Sequence, residues 1–159
     1  MTGRSHRDIL RAIRRQYALD WHGIHGVDHW NRVLENGLRL AGETGARVAV
    51  VRLFALFHDS RRLNDGHDPE HGRRGAELAA SLRGKLFDLS DEDFALLAFA
   101  CEHHTDGFTE GDITVQTCWD VDRLDLGRVG IKPDPRKLCT EIAKRSAIIE
   151  WAHARSHEE

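Results

Sequence analysis

The segment VAVVRLFALF, positions 48 to 57, is apolar on nearly every face and runs directly into His58 and Asp59. A segment apolar all round must be enclosed by the rest of the chain, so any fold has to be built around it. Its β-branched residues come early, Leu53 to Phe57 are better helix formers, and ten residues is long for a strand. The reading is a central, buried helix. An imidazole and a carboxylate at the end of such a helix are costly to bury unless both are paired or bound to a metal. Successive helical residues point about 100° apart. His58 and Asp59 therefore share one ion only at the helix end or in a groove, a geometry that suits ligands gathered from several helices.

Helical spacing recurs along the chain. Ile9, Leu10, Ile13 and Tyr17 fall on one face between Asp8 and Leu19, and Trp30, Val33, Leu34, Leu38 and Ala41 do so in the next segment. Asp68, Pro69 and Glu70 read as an N-cap, a proline at the first helical position and a first-turn acid, opening a helix through ELAASL. Ser90 to Asp93 forms a capping-box pattern ahead of Phe94, Leu97, Ala98 and Cys101. Two more helices are predicted, from Val115 to about Val129 and from Pro135 to the C-terminus, the latter with Leu138, Ile142 and Ile149 on one side. No alternating stretch with hairpin turns competes. The fold class is all-α, a compact helical bundle, and 159 residues are expected to form one domain over 1–159. The Trp151-bearing C-terminal helix closes either the core or a homodimer. Trp21, Trp30, Trp119 and Trp151 are expected in the core, and Gly23, Gly26, Gly66 and Gly72 read as flexible loop positions.

A formal charge of -3 gives no bulk attraction to nucleic acid or to an anionic membrane, and no stretch approaches the ~20 apolar residues of a membrane span. The expected location is the cytoplasm. Three dispersed cysteines, Cys101, Cys118 and Cys139, without CxxC spacing read as free buried thiols. Histidine is the outlier, present eleven times, and away from the termini the residues cluster. Six of them sit in HGIHGVDHWNRV (22 to 33), HDSRR (58 to 62) and the doublet His103-His104; DVDRLD (120 to 125) adds carboxylates. Imidazole plus carboxylate without thiolate suits Mn, Fe, Co, Ni or Zn, with room for Mg at a second position.

His29 with Arg32-Val33, then His58-Asp59, then the DVDRLD segment resembles the HD-domain superfamily of metal-dependent phosphohydrolases, over a motif core from 25 to 126. The resemblance implies His29, His58, Asp59 and Asp122 as metal ligands, Asp122 rather than Asp120 because it directly precedes Arg123-Leu124-Asp125. His71 with Gly75-Ala76 is similar to the HxxxGA segment of binuclear members, and His103-His104 with Asp106-Gly107 to their His-rich downstream motif. These imply one ion with room for a second, Asp59 bridging both and His71 and His104 holding the second, with or without His103. The lysine that commonly follows the HD pair is replaced here by Ser60, Arg61 and Arg62, so Arg61 or Arg62 takes its electrostatic role toward phosphate oxygens. Arg123 is a second candidate phosphate clamp. His25 or the non-ligating member of His103/His104 is the candidate proton donor to the leaving oxygen. The expected activity is hydrolysis of a small phosphate ester, a nucleotide included, by metal-activated water. The competing readings are an HD-type di-iron oxygenase and a non-catalytic module in which metal ties helices together.

Overall fold

The computed structural model describes residues 3–157. Seven α-helices follow in chain order among them: α1 (Gly3–Gln16), α2 (Val27–Thr44), α3 (Val48–Phe57), α4 (His71–Leu82), α5 (Asp91–His103), α6 (Ile113–Arg123) and α7 (Ser146–Arg155). Short 3-10 turns at Leu126–Val129 and Pro135–Lys137 lie between α6 and α7. No strand forms among the described residues beyond an isolated bridge between Arg83 and Phe87. No helix there is long and apolar enough to cross a membrane.

The apolar decapeptide is α3, and it is the centre of the molecule, packed by α2, α4, α5 and α6. Val50, Val51, Leu53, Phe54, Leu56 and Phe57 are all buried. Each such side chain contributes about 1.5–3 kcal/mol on leaving water. Trp30 from α2 and Trp119 from α6 fill the neighbouring core, while Trp21 and Trp151 are half-buried. Helix ends are set locally. Gly45 closes α2 in the left-handed region at φ 77°, Ser90 caps α5 by accepting from Asp93 N–H, and Asp112 caps α6 by accepting from Thr114 N–H. That last cap starts the helix two residues before the expected Val115.

Two stretches depart from expectation. Pro69 lies in the turn before α4 rather than in its first turn, because Asp68 does not cap the helix. Its carboxylate instead accepts from Leu63 N–H (2.8 Å) and Arg74 (2.6 Å). The predicted helix from Pro135 to the C-terminus is a 3-10 turn, an irregular segment and then α7; its last residues, Glu158 and Glu159, lie outside the described residues. The reason is Asp120. Its buried carboxylate accepts from the Cys139 N–H (2.6 Å), the Thr140 N–H (2.8 Å) and the Thr140 hydroxyl (2.7 Å), which holds 139–140 out of helical geometry.

Gly72 is not a flexible loop position; with Gly75 it forms the contact surface of α4. A Cβ on Gly72 would stand 2.1 Å from the Cys101 carbonyl oxygen, and one on Gly75 2.3 Å from that of Phe57. Their absence of side chains lets α4 approach α3 and α5 closely enough for His71 to reach Asp59. Gly75→Ala is expected to destabilise the protein by about 1–3 kcal/mol despite better helix propensity, with a melting-temperature drop of about 2–10 °C. A thermal melt at or above the parent value would show that α4 yields without cost.

Candidate metal centre

α3 delivers His58 and Asp59 at its C-terminal end, where Ser60 is pinned twice: its hydroxyl donates to Phe57 O (2.8 Å), and its own carbonyl accepts from Gln16 of α1 (3.0 Å). α2 supplies His29, α4 His71, the end of α5 His104, and α6 Asp122. All six converge. His29, His58, Asp59, His71 and His104 are buried, and Asp122 is nearly so.

The donors form two sets around one carboxylate. Asp59 Oδ2 lies 3.4 Å from both His29 Nε2 and His58 Nε2. Those nitrogens are 3.1 Å apart and lie 3.2 and 3.3 Å from Asp122 Oδ1. Asp59 Oδ1 faces the other way, 3.0 Å from His71 Nε2 and 3.4 Å from His104 Nε2, themselves 3.0 Å apart. Neighbouring ligands on one ion with bonds of about 2.1 Å stand about 3.0 Å apart at a right angle and about 3.4 Å at a tetrahedral one. Both sets have that spacing, and the groups His29/His58/Asp59 and Asp59/His71/His104 are each able to hold an ion.

The chemistry of the donors agrees. Every Nδ1 is committed as a donor: His29 to Asp125 Oδ2 (2.6 Å), His58 to Phe54 O (3.0 Å), His71 to Asp68 O (2.5 Å) and His104 to Cys101 O (2.7 Å). With Nδ1 carrying the proton, each Nε2 presents a lone pair, and two facing lone pairs 3 Å apart require a proton or a cation between them. Asp122 Oδ1, buried among them, makes no hydrogen bond at all. The residues thus fit a divalent ion in the first set and a second in the other. The cysteines take no part: burial pushes the Cys101 and Cys118 thiols far up, away from thiolate.

Without metal, charge in the cluster is balanced by protons. Burial opposes ionisation of Asp59 and Asp122, yet the surrounding histidines hold both well below 3.8. Burial and the Arg128 charge depress His29, but Asp122, Asp125 and Asp59 outweigh them and push its pKa up from 6.5 to about 9. A lowered carboxylate stabilises the fold above its unfolded pKa and ceases to do so as pH falls. A raised imidazole stabilises fully below 6.5 and ceases to do so as pH rises through about 9. The urea midpoint of chelator-treated protein is therefore expected to peak between about pH 4 and 6.5. Added metal is expected to move the peak to neutral or alkaline pH, since it replaces the proton. A midpoint that is flat in both states contradicts this charge balance.

Asp125, which sequence reasoning passed over, is the second carboxylate of His29. It is buried, gives Oδ2 to the ring and accepts from Arg32 Nε at 2.8 Å through Oδ1. Such outer partners fix the tautomer and orientation of a ligand. Asp125→Asn is expected to weaken metal binding by about 10- to 100-fold while leaving the stoichiometry intact. Unchanged affinity by calorimetry would leave Asp125 a purely structural residue.

Above the ligands lies a cleft of about 270 Å³ whose lining includes His25, Arg62, Thr105, Arg123 and Arg128. His25 donates Nε2–H to Asp65 O (3.2 Å), so its buried Nδ1, without a hydrogen-bond partner, faces Asp59 Oδ2 at 3.5 Å. Arg62 touches Asp59 Oδ1 (3.3 Å) and holds the 64–66 loop through its carbonyls. Arg123 spans Phe108 O (2.7 Å) and Lys137 O (2.9 Å). Arg128, a further cation not expected from sequence, is anchored on Ile24 O and Asp125 O. Arg61 and His103 are not among the residues lining the cleft. Arg61 is exposed, and His103 pairs with Asp106 at 2.7 Å on the outer end of α5.

No protein-family model matches the chain, and no curated protein matches it. Among solved structures, it is similar to the 1.45 Å crystal structure of a predicted HD superfamily hydrolase from an uncultured Thermotogales bacterium. The two share 27% identity and a TM-score of 0.70, over 93% of this chain and 84% of the other.

Proposed function

We propose that this chain hydrolyses a small phosphate ester, with the metal-dependent chemistry of the HD superfamily; its similarity to a predicted HD superfamily hydrolase and its buried His/Asp cluster support the reading. The observation that carries this is the pairing of two metal-ready donor sets, bridged by Asp59, with a cleft lined by Arg62, Arg123 and Arg128 directly above. His29, His58, Asp59 and Asp122 would hold one ion, and Asp59, His71 and His104 a second. A divalent ion there supplies Lewis acidity and a water acidified toward neutral pKa.

The chain's own groups do the remainder. Arg62 and Arg128 orient the phosphoryl oxygens and offset charge as it grows in the transition state. Arg123, held by two carbonyls, keeps the outer wall of the cleft in place. His25 Nδ1 takes a proton from the attacking water and returns it to the leaving oxygen.

The test is metal analysis of protein purified without chelators, with hydrolysis of an aryl phosphate and a nucleotide panel in Mn, Mg, Co or Ni. Phosphate release that a chelator abolishes supports the proposal. Two irons per chain with O2-dependent turnover and no phosphate release would replace it with the oxygenase. Bound metal with neither chemistry would replace it with a metal-tied binding module.

A further inference from the structure

The cleft over the metal centre does not end at Arg123. A second depression, of about 410 Å³, shares His104, Thr105, Arg123 and Leu126 with it and runs on toward the 131–138 segment. Its chemistry differs from the first. Past Arg123 the lining brings in the apolar Leu126, Ile131, Pro133 and Leu138 together with Lys132, Asp134 and Lys137. Ile131 stands 53% exposed, an apolar side chain beside a charged cleft that the core does not need.

The depression is built rather than incidental. Arg123 ties its two sides together, one guanidinium donating to Phe108 O on one flank and Lys137 O on the other. Asp120 pins Cys139 and Thr140 immediately behind Leu138, so the apolar wall is held by buried hydrogen bonds. Asp134 is occupied by Arg136, at 2.9 and 3.2 Å, which leaves the 131–138 segment without a free carboxylate to repel an anion. Its volume falls within the range of about 300–1,000 Å³ usual for small-molecule sites.

We propose that this depression is the subsite for the organic part of the substrate, and that the substrate is a phosphate ester of an apolar group of about aryl size. The inference rests on the hydrolytic reading of the metal centre. A phosphoryl group seated over Asp59 and Asp122 directs its ester substituent along Thr105 and Leu126 into the apolar wall, where Ile131 and Leu138 cover it.

The test is methyl NMR of magnesium- or zinc-loaded protein titrated with methylphosphonate, phenylphosphonate and benzyl alcohol, none of which is hydrolysed. Phenylphosphonate is expected to bind about 10- to 100-fold tighter than methylphosphonate. Both phenylphosphonate and benzyl alcohol are expected to shift the Leu126, Ile131 and Leu138 methyls. Ile131→Asp should reduce phenylphosphonate to the affinity of methylphosphonate without altering metal content. Equal affinities, or unshifted Ile131 and Leu138 methyls with both aryl probes, overturn the subsite. If methylphosphonate fails to bind while benzyl alcohol still moves those methyls, the phosphoryl reading fails and the aryl subsite stands.

Discussion

Asp59→Ala is expected to strip the protein of metal and of hydrolytic activity in one step. The two oxygens of Asp59 face different donor sets, at 3.4 Å from the His29 and His58 nitrogens and at 3.0 and 3.4 Å from those of His71 and His104. Alanine there leaves each set a ligand short, and it also removes the carboxylate to which Arg62 donates. A metal contributes several kcal/mol of transition-state stabilisation, so activity should fall at least about 10³-fold. Asp122→Ala touches the first set alone and should leave the second ion bound. A melt of each variant in chelator separates loss of metal from loss of fold. Parent-level metal content and turnover in Asp59→Ala would end the bridging assignment.

The parts of this molecule legible in the sequence are those governed by nearest neighbours. The spacing of apolar residues placed α1 and α2, helix propensity and length placed α3, and the Ser90 cap placed α5, because these signals act within a few residues. Local signals misled where a distant partner decides. Nothing near Thr140 announces that Asp120 captures its backbone from 20 positions away, and that capture replaced the expected helix. Asp68 carries the signature of a cap, but Arg74 and the Leu63 amide take its carboxylate.

The candidate site divides in the same way. His29, His58, Asp59, His71, His104 and Asp122 lie together, brought in from five elements: α2, the end of α3, α4, the end of α5 and α6. Asp125 stands 96 positions from the His29 ring it touches, and its place in DVDRLD offers no hint of which imidazole it serves. Gly72 and Gly75 become meaningful only when the carbonyls of Cys101 and Phe57 lie against them. Arg61 and Arg62 are chemically alike and adjacent, yet the turn after α3 buries Arg62 against Asp59 and leaves Arg61 in solvent.

His25→Ala is expected to lower kcat by about 10²- to 10⁴-fold at unchanged metal content, the range for removing a positioned acid–base group. The substitution removes the ring, with its hydrogen bond to Asp65 O, but keeps the backbone contacts. The His25 carbonyl is held by the Tyr17 hydroxyl (3.0 Å) and by the Trp30 indole N–H (2.8 Å), contacts that an alanine keeps. What disappears is the ring whose Nδ1 points at Asp59 from the wall of the cleft. Because the loss lies in proton transfer rather than binding, KM should change little. Free imidazole, small enough to enter the vacated space, should restore part of the rate. Loss of one metal equivalent in His25→Ala would instead make His25 a ligand, and an unaltered kcat would remove it from the chemistry altogether.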